Sequence, residues 1–552
     1  MTRRLYNSIC VMRASVILLT LCLCPAAFSF PQNRASANHI ANRNDGAAAR
    51  VAEGVAALER GDVAAAKAAF TAALTLNPKE PTAHAYLGIL ADRDGDLKEA
   101  EKHFAAAVAA DSQSAAAHNN YGTILLKTGR AEQAAAEFES SLKLNAQQPS
   151  ALANLAQIRF ARGTPESLRQ ARELFARAQA LAPDAEVARA LVVVALRLND
   201  KPAAAASYHD YAARLGQAPV SVTAATARGE LGSALLQAGL FNEAAAELSA
   251  AVTSEPANAQ MILQLARAHL ARKDVPAAGR ALEGAVARGL QAAEIYAALA
   301  EVYEASGHVE NAIPAMRLAI ERDPKNEDYR FRYAMLLTDT KVPAAAIIRL
   351  QEALKVFPDS VKLWFALGVA QSASNQTAEA MQALEHALKL DPRCAPALAY
   401  LGVTLATQGS YTEAVEYYEK SLAINDRTAV VHYLAADAIL NQTAADTARA
   451  EVHLTRALEL DPTLAAARLA RAKIYMRGNR FAEAAIELEQ VVAAEPTLAA
   501  AHYQLGRAYT RLRRKAEADA ELEKFKALSD SEKEQAQNQQ RDIIRRLANV
   551  RF

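Results

Sequence analysis

Four histidines, His84, His118, His432 and His502, are the residues of this 552-residue chain with the best claim to a metal ion, and Asp92, Asp94 and Asp96 make its nearest approach to a calcium loop. Imidazoles hold zinc only when three or four ligands converge. These four share one position in a recurring pattern, and the same position elsewhere holds Trp364, so a packing slot between helices is the expected role. In "DRDGDLKE" (92–99) the glycine comes too early for a calcium loop, and a turn between helices accounts for the acids. Cys394 has no activating neighbour in the sequence and reads as an inert thiol. No phosphate loop, dinucleotide fingerprint, zinc-protease pair or nucleophile elbow is present. The expected chain is therefore not an enzyme and takes neither cofactor nor metal.

What positions these residues is a ruler of 34. From Pro78 the steps land on Ser112, Ala146 and Pro183, then on Pro256, Leu290, Pro324, Pro358, Pro392, Asp426, Pro462 and Pro496, most of them 34 apart. Twelve residues before each marker stands an alanine such as Ala66, Ala100 or Ala380, and eight before it a large apolar residue such as Phe70, Phe104 or Leu384. Five before it the residue is small again, as at Ala73 and Ala107. Small, large and small at i, i+4 and i+7 lie along one stripe of an α-helix. Proline ends that helix, because it lacks the amide donor and turns its predecessor away from helical angles. A second helical pattern follows with Leu-Gly at Leu87-Gly88, Leu367-Gly368 and Leu401-Gly402, closed by glycines such as Gly95, Gly129 and Gly409.

These residues resemble the tetratricopeptide repeat (TPR), whose pattern is Trp/His-x2-Leu-Gly-x2-Tyr, then Ala-x3-Phe, then Pro. Residues 81 to 114 fit through His84, Leu87, Gly88, Ala100 and Phe104, and 361 to 394 through Trp364, Leu367, Gly368, Ala380, Leu384 and Pro392. The resemblance implies an all-α, right-handed superhelical solenoid of about fourteen helix-turn-helix units. Repeats 1–4 are expected over 47–185, an atypical repeat and hinge over 186–224, and repeats 6–14 over 225–532, with residues 533–552 as a capping helix whose Ile543, Ile544 and Leu547 cover the last repeat. The ruler slips at "GTPESLRQ" (163–170) and "NQTAADTARA" (441–450), where longer loops between helices are expected.

By the same resemblance the inner groove, lined by the first helix of each repeat, binds extended peptides or partner helices. The second, fifth, sixth and ninth residues of that helix would point into it. Asn119, Asn120, Thr123, Asn154 and Gln157 fall there, and Asn120 with Asn154 would make a two-rung amide ladder of the kind seen in the TPR portion of some peptide-glycosylating enzymes. Phe331, Phe365, Tyr433 and Tyr503 occupy the fifth position in later repeats, while Glu294, Glu301 and Glu304 would favour a basic partner segment. Fifth positions such as Ala85, Asn119 and Phe331 lack the lysine of a chaperone carboxylate clamp, which excludes that specialisation.

Arg3, Arg4 and Arg13, the apolar run "ASVILLTLCLC" (14–24) and Ala27-Phe28-Ser29 read as a signal peptide over 1–29, followed by a polar linker over 30–46. The apolar run is shorter than the ~20 residues of a membrane span, although an uncleaved inner-membrane anchor is the alternative. Export to the periplasm or beyond is thus expected. Cys10, Cys22 and Cys24 lie in that leader, which leaves Cys394 without a partner for an internal disulfide. Removing the three leader arginines takes the net charge from +1 to −2, which argues against nucleic acid as a partner. The expected function is a protein-binding scaffold or adaptor of the cell envelope. The rivals are a substrate-recognition subunit for a separate glycosyltransferase-like enzyme and a carbohydrate-binding solenoid, the latter disfavoured by an aromatic content of 6%.

Overall fold

The computed structural model describes residues 43–217, 224–340 and 342–528, together with Ile543, Arg546 and Leu547. The expected signal peptide lies outside the described residues. Those residues form α-helices in antiparallel pairs, a first helix (A) of typically 13 residues and a second (B) of typically 14, and fall into two compact units divided between Leu290 and Gln291.

Unit 1 opens with α1 (Arg43–Glu59) and α2 (Val63–Leu76), then α3 (Pro81–Arg93) and α4 (Leu97–Ala110). It continues with α5 (Ala115–Lys127) and α6 (Ala131–Leu144), α7 (Pro149–Arg162) and α8 (Pro165–Leu181), and α9 (Ala185–Arg197) and α10 (Lys201–Arg214). After a 3-10 turn at Leu215–Gln217 come α11 (Ala225–Gln237) and α12 (Phe241–Ser254), then α13 (Ala259–Ala271) and α14 (Val275–Ala287).

Unit 2 holds α15 (Ala293–Ala305) and α16 (Val309–Arg322), α17 (Glu327–Asp339) and α18 (Pro343–Val356), and α19 (Val361–Ala373) and α20 (Thr377–Leu390). Next come α21 (Ala395–Thr407) and α22 (Tyr411–Ile424), and α23 (Ala429–Leu440) and α24 (Thr447–Leu460). The last pairs are α25 (Ala465–Arg477) with α26 (Phe481–Ala494) and α27 (Ala499–Arg511) with α28 (Lys515–Leu528).

The small–large–small code is a packing code. Ala66, Phe70 and Ala73 are wholly buried, as are Ala100, Phe104 and Ala107. The glycine of Leu-Gly exists to admit the ring: a Cβ on Gly88 would lie 2.8 Å from Phe104, and one on Gly402 would lie 2.6 Å from Tyr418. Helix starts are set by side-chain caps. Asp96 Oδ1 accepts from Glu99 N at 3.0 Å, and Ser360 Oγ accepts from Leu363 N at 3.0 Å. Helix ends are set by left-handed residues, Gly95 at φ 81° and Gly409 at φ 83° among them.

Successive A helices touch directly, α3 with α5 and α5 with α7 in unit 1, α19 with α21 and α21 with α23 in unit 2. Among the described residues successive B helices do not approach as closely, so within each unit the A helices line the inner side.

Three details differ from the sequence-based expectation. First, α1 begins at Arg43, inside the stretch read as linker. Second, residues 163–170 do not lengthen a loop: they extend α8 to 17 residues, because Thr164 caps it and Pro165 suits its first turn. Third, Ile543 and Leu547 do not pack with the core of the last repeat; they belong to the buried cluster of α19–α25. There they join aliphatic residues such as Leu454, Leu464 and Ile474, and aliphatic side chains go where water is excluded.

Residues 218–223 of the expected hinge lie outside the described residues. On either side of them the chain shares one core, in which Val192, Tyr208 and Tyr211 pack with Leu231, Leu235 and Leu248. A buried carboxylate ties the same helices: Glu247, 0% exposed, accepts from Tyr208 Oη at 2.9 Å, Tyr211 Oη at 3.3 Å and Arg228 Nε at 2.9 Å. Burial beside this carboxylate pushes both tyrosine hydroxyls well above their ordinary pKa.

Candidate functional site

The A-helix face of unit 1 is polar but largely self-satisfied. Asn119 and Asn120 on α5 are 2% and 1% exposed, and Asn119 Oδ1 accepts from Ser150 Oγ of the next repeat at 3.5 Å. Thr123 Oγ1 donates to Asn119 O at 2.9 Å. Asn154 and Gln157 on α7 are half-buried. Of the two expected ladder rungs, then, Asn120 is turned into the packing between helices and only Asn154 is partly presented. The same kind of repeat-to-repeat link recurs where Gln264 Nε2 donates to Ser233 Oγ at 3.0 Å.

In unit 2 the charges on this face pair across repeats. Arg332 on α17 reaches back to Glu301 on α15, and Lys362 Nζ lies 2.7 Å from Asp328 Oδ1. Glu294 remains close enough to Tyr329 to help burial raise its hydroxyl pKa. Glu301 therefore already has the basic partner that the sequence suggested a ligand would supply. Phe365 is fully buried and packs edge-on against Tyr400 at 5.9 Å, so it is core. Phe331 and Tyr433 are half-buried against the same cluster. Tyr503 alone of the four aromatics is exposed, at 38%, its ring tilted against that of Phe525 at a centroid distance of 5.0 Å.

One stretch of the face is unlike the rest. At the ninth position Gln157, Ser233, Glu301, Lys473 and Arg507 are polar or charged and Ile89, Val193 and Met335 are apolar but half-buried, whereas Val369 and Val403 are buried. On α21 every residue from Pro396 to Leu405 is buried. Asp437, at the ninth position of α23, is half-buried, and desolvation pushes its carboxyl above the usual carboxylate range. Ile543 and Leu547, 7% and 0% exposed, belong to the same buried cluster, and Arg546 Nη1 lies 3.1 Å from Asp461 Oδ2 after the end of α24.

The chemistry-bearing residues are occupied by structural work. His84 Nε2 bonds the carbonyl of Pro78 at 3.1 Å, so as a neutral ring its Nδ1 accepts from His103 Nδ1 at 2.9 Å. His432 repeats this arrangement with Asp426 O at 3.0 Å and His453 at 3.1 Å. His118 and His502 bond Glu137 and Glu521 instead. Asp92 faces Lys127 Nζ at 2.7 Å and Asp96 caps a helix. Among the described residues no group of three or more His, Cys, Asp or Glu is gathered to hold a metal. Burial pushes the Cys394 thiol up to about 11, which leaves it protonated and inert.

Tetratricopeptide-repeat models match residues 51–115, 93–158, 230–283, 293–336, 370–428, 442–497 and 499–531, more than half of the chain. The chain belongs to the tetratricopeptide-repeat family. Solved structures similar to this TPR protein include the APC/C hetero-tetramer Cut9–Hcn1, at 15% identity over 91% of this chain and 96% of that one, TM-score 0.37. Yeast Tom70 matches at 14% identity over 84% and 95%, TM-score 0.39. YrrB, described as a TPR protein with an unusual peptide-binding site, matches at 21% identity over 32% and 91%, TM-score 0.29. At these scores no feature of those chains transfers to this one. No curated protein matches.

Met335, Val369 and Val403 make the ninth position apolar in three successive repeats, a run that the repeat pattern itself does not call for.

Proposed function

We propose that this TPR protein is a non-catalytic scaffold or adaptor of the bacterial-type cell envelope, exported by its N-terminal segment, whose A-helix face holds segments of other proteins. The observation that carries this reading is the use of side chains. Helix packing, caps and repeat-to-repeat links consume His84, His118, His432, His502, Glu247 and Cys394, while within each unit the inner A-helix face remains as a surface extended over several repeats. A long face of repeated units suits multivalent binding, in which a second contact follows the first at high effective concentration.

The test is crosslinked affinity purification from solubilised envelopes with tagged full-length chain and an Asn154→Ala, Gln157→Ala, Tyr503→Ala variant. These three side chains are not fully buried, so the variant keeps the wild-type melting midpoint. Recovery of a defined protein set by the wild type, lost in the variant, is the expected result. Recovery of glycan without protein would replace the scaffold with the carbohydrate-binding reading.

A further inference from the structure

The lysines and arginines on the A helices of unit 2 fall into two groups. Arg332 and Lys362 reach carboxylates of the preceding repeat, Arg468 and Arg471 share Glu487, and Arg330 bonds the carbonyl of Pro324. Lys473 and Arg477 on α25 and Arg507 and Arg511 on α27 are exposed, and among the described residues none of the four has a carboxylate within ion-pair distance. What the two arginines of α27 touch is neutral. Arg507 Nη1 donates to Gln504 Oε1 at 3.5 Å and its Cζ lies 5.6 Å from the centroid of Tyr503, while Arg511 Cζ lies 5.9 Å from that of Phe481. Lys473 acts on Asp437 of the preceding repeat through space, without an ion pair.

Register sets these four charges in a grid. Lys473 and Arg477, like Arg507 and Arg511, are four residues apart and share one face of their helix. Lys473 with Arg507, and Arg477 with Arg511, stand one repeat apart on A helices that touch. Neither α25 nor α27 carries an acidic residue, whereas α15, at the other end of the unit, carries Glu294, Glu301 and Glu304 and no lysine or arginine. Like charges at i and i+4 disfavour a helix, so this grid does nothing for the fold that holds it.

We propose that the inner side of α25 and α27 is a docking site for an acidic, extended segment of a partner protein, whose side-chain carboxylates are taken by Lys473 and Arg507 and, beside them, by Arg477 and Arg511. The inference rests on the scaffold reading above and names the chemistry of one partner segment.

Charge complementarity commits the occupant, and geometry sets its spacing. Packed helices stand about 8–10 Å apart and an extended chain advances about 3.3 Å per residue, so carboxylates three residues apart, as in Glu-x-x-Glu, meet successive A helices. A membrane surface would call for large apolar side chains beside the cations, and Tyr503 alone of the described large apolar residues on these two helices is exposed.

The test is fluorescence anisotropy with the full chain and a labelled peptide of four Glu-Ser-Ser triplets, both ends blocked so that only side-chain carboxylates are read. A Lys473→Gln, Arg507→Gln chain is expected to bind it at least about tenfold more weakly than the wild type and with a shallower dependence on salt. Both side chains are exposed, so the variant keeps the fold. An Arg93→Gln, Arg267→Gln chain loses as much charge from exposed positions of unit 1 and is expected to bind as the wild type does. The same peptide with glutamine for glutamate is expected to bind none of the chains. Equal binding by all three chains, or none by the wild type, overturns the proposal. So does displacement of the peptide by oligothymidylate at equal charge concentration, which would make the grid a general anion surface. A chain that fails here yet still loses its captured proteins in the Asn154→Ala, Gln157→Ala, Tyr503→Ala variant keeps the scaffold reading and loses only this one.

Discussion

Trp364 Nε1 donates a 2.7 Å hydrogen bond to the carbonyl of Pro358, the proline that follows the end of the preceding helix. Arg330 does the same to Pro324 at 2.8 Å, Arg468 to Pro462 at 2.7 Å and His502 to Pro496 at 2.8 Å. What this position selects is an N–H group six residues after the turn carbonyl, which explains why tryptophan, histidine and arginine all serve there. The bond fixes the turn between one repeat and the next.

Trp364→Phe keeps the ring against His386, whose centroid lies 4.1 Å away, and removes only the donor. The expected cost is about 0.5–1.5 kcal/mol, the net worth of a hydrogen bond. Trp364→His is expected to recover part of it, since His502 shows that an imidazole reaches the same carbonyl. Urea titration of both variants decides: if the phenylalanine chain matches wild type and the histidine chain is the weaker, the bond does not hold the turn.

Gly368→Ala tests the packing code. The added methyl would lie 2.6 Å from Leu384 Cγ and 3.1 Å from the carbonyl of Ala380, and backbone cannot yield as a flexible side chain can. Overpacking of this kind costs about 1–3 kcal/mol, and Ala380→Leu, at a residue with no exposed surface, is expected to cost as much from the opposite side of the contact. Thermal unfolding followed by circular dichroism should show a lower midpoint for both.

The period and the identity of the packing residues were legible in the sequence because each repeat buries its own stripe against its own partner helix. Ala380, Leu384 and Gly368 meet within one helix pair, so spacing alone predicts them. The face was less legible. Whether Asn120 is open depends on how α5 meets its neighbours, and that Ile543 and Leu547 join the cluster of α19–α25 is something no local period relates to those repeats. Phe365 was misplaced for the same reason: its ring fills the space beside Tyr400 of the following repeat. The extra residues near Thr164 could be counted from the ruler, but whether they entered loop or helix turned on one cap.

Glu247→Ala is expected to be far more damaging than any surface substitution. It would leave the Arg228 guanidinium, with a side chain 19% exposed, without its carboxylate and deprive Tyr208 and Tyr211 of their acceptor. Breaking a buried pair by removing one partner costs about 3–5 kcal/mol. Because repeat arrays unfold in parts, the loss should show first as faster hydrogen exchange in α10, α11 and α12. Exchange rates unchanged there would mean that apolar packing alone joins those helices.

The histidine pairs predict an acid sensitivity with a definite sign. Burial lowers the pKa of His103, with repulsion from His84 as a second cause; burial likewise lowers that of His432, and that of His453 with His432 as the second cause. In each pair one neutral ring must accept at Nδ1 while its Nε2 donates to a carbonyl, and a proton on that Nδ1 would set two N–H groups against each other. The unfolded chain titrates near the ordinary histidine value of about 6.5, so below that pH it binds more protons than the folded chain. The stability these pairs contribute is therefore present above about pH 6.5 and is lost as the pH falls through the depressed folded values. Melting midpoints at constant ionic strength should drop from about pH 7.5 to about pH 5, and a His103→Gln, His453→Gln chain should show a shallower drop, since glutamine bonds without taking a proton. Parallel curves for the two chains would place the acid sensitivity elsewhere, and the buried carboxyl of Asp437 could not supply it, because a raised carboxyl pKa makes stability fall as pH rises.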